Sequence, residues 1–141
     1  MLKSLLLMLA LMLPFTSEAF AVTSITVQST TDKGLNYTAA NAATTMSFFN
    51  DGNTTLVFVN GSVTARTLTV TVQTPSITLQ GYNPITLSNT TVTIPGSGTN
   101  GGLAIVGPFA KGMYNDSSGL VQIAIDAVTS LTVSAISSPK L

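Results

Sequence analysis

Aspartate and glutamate are the residues of this chain best suited to acid–base chemistry, because its 141 residues include no histidine. General acid–base catalysis usually recruits histidine or two carboxyl groups held close together. Asp51 and Asp116 lie in the turn-like runs 50–53 and 115–117, where aspartate commonly hydrogen-bonds to its own backbone. Only Glu18, Asp32 and Asp126 remain as further acids. We therefore predict turn roles for Asp51 and Asp116, no catalytic site and no enzymatic activity.

Serine and asparagine supply the other candidate motifs. Ser97 follows Pro95-Gly96, but the chain has neither a Gly-x-Ser-x-Gly motif nor a histidine to serve as its base. No Gly-Lys-Ser/Thr phosphate loop occurs either. The oxygens of runs 50–53 and 115–117 would suit calcium, yet both runs lack the ligand number and closing glutamate of a calcium loop. We expect no metal, no cofactor and no small-molecule substrate.

Five asparagines stand in the glycosylation sequence Asn-x-Ser/Thr. In an exported chain they could carry glycans, although a chain so rich in serine and threonine forms this sequence readily by chance. The five positions are Asn36, Asn53, Asn60, Asn89 and Asn115. The chain has no cysteine, which excludes a disulfide framework and a thiolate metal site.

The composition is neutral and apolar. Charged residues make up 7% of the chain, the formal net charge is zero, and 45% of the residues are hydrophobic. A disordered chain would be more polar and more charged, so a folded core is expected. Five scattered basic residues make no electrostatic footprint for nucleic acid, and we predict no nucleic-acid partner.

The first twenty-one residues have the pattern of a secretory signal peptide. Lys3 precedes the apolar run 5–13, Pro14 ends that run, and Ala19-Phe20-Ala21 places small residues before a possible cleavage site. The run is too short for a membrane-spanning helix. We divide the chain into a leader or hydrophobic arm (1–21), an N-terminal strand and tether (22–33) and a β-sandwich domain (34–141).

The remainder alternates apolar and polar residues with a period of two, which is typical of strands with one buried face. The alternation is clearest at 68–72, 77–80, 91–94, 121–126 and 131–134. Run 56–59 is apolar on both faces and predicts a central strand covered on both sides. Run 39–43 is rich in alanine and favours at most a helical turn.

Turn residues separate these runs. Asp51-Gly52 between apolar runs is a strong hairpin signal and predicts that 46–49 and 56–59 form a hairpin. Short strands at regular spacing predict an all-β fold, a single antiparallel β-sandwich or small jelly-roll-like barrel of about seven to nine strands.

Several short segments recur in a fixed order between the predicted strands: Gly34-Leu35-Asn36-Tyr37, Phe49-Asn50-Asp51-Gly52-Asn53, Asn60-Gly61-Ser62, Gly107-Pro108-Phe109 and Tyr114-Asn115-Asp116. This order of strands and turns, over residues 34–136, resembles small β-rich structural proteins of tailed bacteriophages. It implies a virion surface protein that decorates a capsid as a homo-oligomer, with the major capsid protein or copies of itself as partners. Phe109 is expected in the core and is also a candidate assembly residue.

Two other interpretations stay open. A secreted fibre or pilus subunit would insert strand 22–28 into a neighbour's sheet, for which Ile25 and Val27 stand at suitable alternate positions. A secreted carbohydrate-binding sandwich would need exposed aromatic residues, and only Tyr37, Tyr82 and Tyr114 are available. We prefer the virion interpretation, with localisation at the virion surface, over an extracellular filament or another secreted module.

Overall fold

The structure, a computed structural model, describes residues 21–31 and 34–138. The predicted leader lies outside the described residues, except for Ala21. Within the described part, no helix has the length and hydrophobicity that crossing a bilayer requires.

The regular structure of the described residues is almost entirely β. A 3-10 turn at Asn100–Gly102 and the helical turn α1 (Lys111–Tyr114) complete it. The strands are β1 (Thr23–Ile25), β2 (Val27–Ser29), β3 (Ala40–Asn41), β4 (Thr45–Phe49), β5 (Thr54–Asn60), β6 (Arg66–Val70), β7 (Ser76–Ile77), β8 (Ile85–Thr86), β9 (Thr90–Ile94), β10 (Leu103–Val106), β11 (Leu120–Ile125) and β12 (Leu131–Ser137).

The first sheet has the strand order β1-β4-β11-β6-β9. Its central strand, β11, pairs antiparallel with β4 and with β6, which places Ile123 opposite Met46 on one side and Val70 on the other. β9 pairs antiparallel with β6. β1 instead runs parallel to β4, with Ile25 opposite Phe48, so this sheet is mixed.

The second sheet has the strand order β10-β5-β12-β2, and β3 also pairs with β12. β5 and β12 pair antiparallel along their whole lengths, with Phe58 opposite Val133. β2 runs parallel to β12, with Val27 opposite Ala135. The N-terminal segment therefore leaves the first sheet at Thr26 and continues at an edge of the second.

One hydrophobic core holds the two sheets together. Alternate residues of β11 (Val121, Ile123 and Ile125) are buried against alternate residues of β5 and β12 in the opposite layer. Burying one such side chain contributes about 1.5–3 kcal/mol. The predicted all-β sandwich is confirmed, but its sheets are mixed and not wholly antiparallel, because β1 and β2 run parallel to their partner strands. The two sheets contain ten strands, more than expected, because the N-terminal segment splits at Thr26 and β3 forms where a helical turn was predicted.

The predicted hairpin at 50–53 is wrong. β4 belongs to the first sheet and β5 to the second, so this connection crosses from one layer to the other. Phe48 and Leu56 are both fully buried and face the core from opposite layers. The crossing arises because each strand pairs with a C-terminal strand, β4 with β11 and β5 with β12, and not with its chain neighbour.

The expectation that strand 56–59 is covered on both faces is also wrong. β5 is central, between β10 and β12, but Val59 is 37% exposed and Val57 is half-buried. Among the described residues, no further layer buries this side of β5. Apolar residues on both faces of a strand therefore do not show that both faces are covered.

Candidate functional site

The two candidate residues of the N-terminal segment lie within the chain's own sheets. Ile25 is buried in the core on β1, and Val27 is half-buried on β2 and packs against the core. Both strands are only three residues long and stand at sheet edges. Their role in contacts between subunits stays a prediction.

Phe109 lies in the core, as expected. Its ring is 5.2 Å from the Phe48 ring and 6.0 Å from the Tyr114 ring, centroid to centroid, and the second contact is edge-to-face. The Tyr114 hydroxyl lies 2.8 Å from the hydroxyl of Thr90. Buried in this way, Phe109 anchors the segment between β10 and α1, and its proposed part in assembly remains untested.

The two turn-like runs, 50–53 and 115–117, lie next to each other in the structure, which their distance along the chain did not indicate. Asn50 is buried, and its amide nitrogen donates to the Asn115 Oδ1 at 2.7 Å and to the carbonyl of Phe109 at 3.0 Å. The Asn115 amide nitrogen donates in return to the carbonyl of Asn50 at 2.9 Å. The asparagines thus join the crossing between the sheets to the turn before β11.

Asp51 and Asp116 accept structural hydrogen bonds, which confirms their predicted turn roles. Asp51 accepts from the main-chain N–H of Asn53 at 2.8 Å and from the Ser137 hydroxyl at 2.7 Å. The Ser137 hydroxyl, followed by the Asn53 N–H, lowers the pKa of the Asp51 carboxyl.

In the other turn, Asp116 accepts from the Leu120 N–H at 2.9 Å and from the Gln122 side-chain amide at 3.0 Å. These two bonds, in that order, lower the pKa of Asp116. Both carboxylates are held ionised by their turns, an arrangement suited to fixing loops. In the described part of the chain, histidine, cysteine and acidic residues form no group of three able to hold a metal ion.

The structure separates the five glycosylation sequences by what their asparagines do. Asn60 is fully buried, and its amide nitrogen donates to the carbonyls of Thr64 and Pro95 at 2.9 and 3.0 Å. Asn115 is bonded to Asn50, as described above. Asn36 and Asn89 are exposed, and Asn53 is half-buried. Asn60 and Asn115 therefore have a structural explanation that needs no glycan.

A cleft of about 380 Å³ opens beside the N-terminal segment. Buried Ile25, Met46 and Val133 contribute to its lining, and its polar lining residues, such as Gln28 and Asn41, are uncharged. The described residues that line it include no ionisable side chain, and they offer packing contacts and neutral hydrogen bonds.

One apolar surface of the described chain is the exposed hairpin, defined as residues 75–86. All twelve residues are exposed, and none is charged. β7 and β8 pair within it, with Ile77 opposite Ile85. Its apolar side chains are exposed by 40% (Ile77), 50% (Leu79), 74% (Tyr82) and 49% (Ile85).

The base of the exposed hairpin is held firmly. The Leu87 N–H donates to the carbonyl of Pro75 at 2.8 Å, and the N–H groups of Gln73 and Thr74 both donate to the carbonyl of Met113. The alternation at 77–80 had predicted a strand with a buried face. The shortness of that run and the prolines at 75 and 84 disfavour a strand inside a sheet, and they could have indicated a protruding hairpin.

A second apolar surface lies on the side of the second sheet that faces away from the core. We define the outer face as Val57 and Val59 of β5 with Leu103 and Ile105 of β10. Leu103 stands opposite Val59, and Ile105 stands opposite Val57. Leu103 and Ile105 are 44% and 65% exposed. Sequence reasoning missed this surface because it did not identify β10 as a strand.

No family model matches the chain, and neither curated proteins nor solved structures gave a match.

Proposed function

We propose that this protein is a non-enzymatic structural subunit that assembles through neutral apolar surfaces, as a decoration protein on the capsid of a tailed phage does. The exposed hairpin carries this proposal. Twelve consecutive exposed residues include four large apolar side chains and no charge. Contiguous apolar surface on a folded chain commonly marks a site of protein–protein contact.

The polar groups support a structural role. Side-chain hydrogen bonds fix the turns that follow β4 and β5, and they come from Asn50, Asp51 and Asn60. A catalytic group would instead be expected beside a cleft that holds a substrate, with its pKa matched to proton transfer. The described residues that line the cleft beside the N-terminal segment are uncharged.

The phage part of the proposal rests on the resemblance of residues 34–136. The surface chemistry is compatible with it, because a decorating subunit needs a stable sandwich that presents contacts to a lattice. The major capsid protein or further copies of this chain would be the partners, and the virion surface would be the location.

A second candidate function is a secreted fibre subunit that exchanges its N-terminal strand. β1 and β2 stand at edges of different sheets and are paired over three residues each. Strands so short and peripheral can pair with the same edges of another copy, and the cost of closing a loop rises only slowly with the length of the connecting chain.

The test of the proposed function is the state of association of the full-length chain. Sedimentation velocity over a range of concentrations, followed by electron microscopy, should show species larger than a dimer. Because the contacts are apolar and uncharged, sulfate should strengthen association. A chain that remains monomeric at all concentrations, with and without sulfate, would contradict the proposal.

Mass spectrometry of the mature N-terminus separates the two candidates. A start at Met1, or at the residue after it, agrees with cytoplasmic assembly on a virion. A start at Val22 shows export and favours the fibre subunit.

A further inference from the structure

The sequence contains two Asn-Gly pairs, Asn60-Gly61 and Asn100-Gly101, which share one local chemistry. In such a pair the main-chain nitrogen of the glycine can attack the side-chain amide of the asparagine and close a succinimide ring. Glycine favours this attack because it has no Cβ to hinder the approach or to restrict the backbone. The surroundings that the fold gives each pair therefore decide which of them reacts.

The side-chain amide of Asn60 is held in place. Asn60 is the last residue of β5 and is fully buried. Its amide nitrogen donates to the carbonyls of Thr64 and Pro95, and its Oδ1 accepts from the Ser62 N–H at 3.0 Å. Turning this amide towards the Gly61 nitrogen would break these bonds, and each buried group left unsatisfied costs about 1–3 kcal/mol.

The attacking nitrogen is held in the first pair but not in the second. The Gly61 N–H donates to the Ser130 carbonyl at 2.8 Å, which ties the nitrogen to the neighbouring turn. Within the described residues, the Gly101 N–H has no main-chain acceptor. The Gly101 nitrogen can therefore approach a side chain without giving up a main-chain hydrogen bond.

The pair Asn100-Gly101 lies in an open turn. Both residues are exposed, and no atom outside the adjoining residues lies within 4 Å of where a Cβ on Gly101 would stand. The turn is closed by the N–H of Gly102, which donates to the Thr99 carbonyl at 2.9 Å, and by the N–H of Leu103, which donates to the Asn100 carbonyl. Exposed turns open locally at a small fraction of the free energy of global unfolding, so this pair can reach the reactive geometry in the folded chain.

We propose that Asn100 is a site of spontaneous deamidation in the folded chain and that Asn60 is protected from it. The Gly101 nitrogen forms a bond to the side-chain carbonyl carbon of Asn100 and loses its proton. The bond from that carbon to the amide nitrogen breaks, and ammonia leaves. Water then opens the succinimide at either of its carbonyl groups, which gives aspartate or isoaspartate. This inference does not depend on the proposed function.

The modification changes the surface at the start of β10. Each event adds one negative charge to a chain whose formal net charge is zero, and the charge lies close to Leu103, the first residue of β10. Isoaspartate also lengthens the main chain within the turn. Gly102 leaves little space for that change, because even a Cβ there would collide with the Asn60 carbonyl. Copies that have reacted therefore differ from new copies in charge and in the turn that leads into β10.

Peptide mapping by mass spectrometry tests the inference on the full-length chain. The chain is incubated in mildly alkaline buffer, once folded and once unfolded in guanidinium chloride. In the folded chain Asn60 should react at least about tenfold more slowly than Asn100, because losing even one buried partner costs about 1.4 kcal/mol, a factor of ten in rate. In the unfolded chain the two pairs should react at similar rates, since only folding separates them.

Two substitutions identify the reacting atoms. Asn100→Gln would have to close a larger ring, and Gly101→Ala places a Cβ beside the attacking nitrogen at a position where the structure has space for it. Ion-exchange chromatography should show an acidic form that accumulates in the unaltered chain, more slowly in Gly101→Ala and hardly at all in Asn100→Gln. Circular dichroism establishes that both variants fold.

Three results would overturn the inference. The first is equal reaction of Asn60 and Asn100 in the folded chain, because burial and hydrogen bonding would then give no protection. The second is an Asn100 that reacts only when the chain is unfolded. The third is an acidic form that accumulates equally in Asn100→Gln, because the new charge would then arise at another residue.

Discussion

Asn50 and Asn115 form two reciprocal hydrogen bonds. The Asn50 amide nitrogen lies 2.7 Å from the Asn115 Oδ1, and the Asn115 amide nitrogen lies 2.9 Å from the Asn50 carbonyl. Asn50 also accepts from the Gly52 N–H at 3.0 Å. The buried Asn50 side chain thus satisfies two main-chain groups, the Gly52 N–H within the crossing between the sheets and the Phe109 carbonyl in the segment after β10.

Replacing Asn50 by alanine should therefore destabilise the fold markedly. Asn50→Ala leaves the Asn115 Oδ1, the Phe109 carbonyl and the Gly52 N–H without their partner, and an unsatisfied group costs about 1–3 kcal/mol where it is buried, as the bond to Phe109 is. We expect a loss of about 3 kcal/mol in the free energy of unfolding, measured by urea titration. Asn53→Ala is the control, expected within about 0.5 kcal/mol. Similar losses in both variants would contradict the role assigned to Asn50.

The stability should fall in acid, and Ser137 should contribute to that dependence. Asp51 has a pKa below its usual value of 3.8 in the folded chain, first because of the Ser137 hydroxyl. Folding thus favours the ionised carboxylate, whose contribution is present above about pH 4 and is lost as the pH falls through the folded pKa.

Urea titrations between about pH 2 and about pH 7 measure this dependence. Ser137→Ala removes the 2.7 Å hydrogen bond, so its stability should depend less on pH in the acid range. Ser138→Ala, at the neighbouring exposed position, should leave the dependence unchanged. An unchanged acid dependence in Ser137→Ala would show that this bond does not set the pKa of Asp51.

Charge substitutions test the assignment of inward and outward residues. Val70 and Ile123 stand opposite each other and are both buried, whereas Thr69 is half-buried on the other face of β6. Val70→Asp and Ile123→Asp should each cost several kcal/mol, roughly 3–5, because each buries an unpaired charge. Thr69→Asp should cost under about 1 kcal/mol. Equal, small losses at all three positions in a denaturant titration would refute the assignment.

Deleting residues 1–33 should leave a domain that folds with reduced stability, and the strand-exchange candidate predicts that this domain no longer assembles. Of the buried apolar residues in the described chain, only Ile25 precedes residue 34. The deletion, however, removes the strands paired with β4 and with the end of β12. A synthetic peptide of residues 21–31 should bind the shortened domain and raise its Tm.

Calorimetry and size-exclusion chromatography with light scattering provide the readouts for this deletion. A peptide with the Ile25 position changed to aspartate is the matched control and should not raise the Tm, because Ile25 is buried. If the shortened domain assembles like the full chain, the N-terminal segment takes no part in assembly. If the intact peptide leaves the Tm unchanged, the exchange of this strand between copies is wrong.

The amino-acid sequence by itself determined the β-fold and much of the core. At 121–125 and 131–133 the apolar residues recur at every second position, and these residues are buried on β11 and β12. A period of two is a local property of an extended backbone, so it can be recognised without any knowledge of the partner strand. The turn roles of Asp51 and Asp116 are local for the same reason.

Only the tertiary structure decided which strands pair with each other. Asp51-Gly52 is a good turn in either a hairpin or a crossing. The choice depends on β4 pairing with β11 and β5 with β12, about seventy to eighty positions away. The same holds for exposure. Ile77 and Ile123 both stand in alternating runs, yet Ile77 is 40% exposed and Ile123 is 3% exposed. Alternation records which side chains share a face, and only the packing of distant strands decides whether that face is covered.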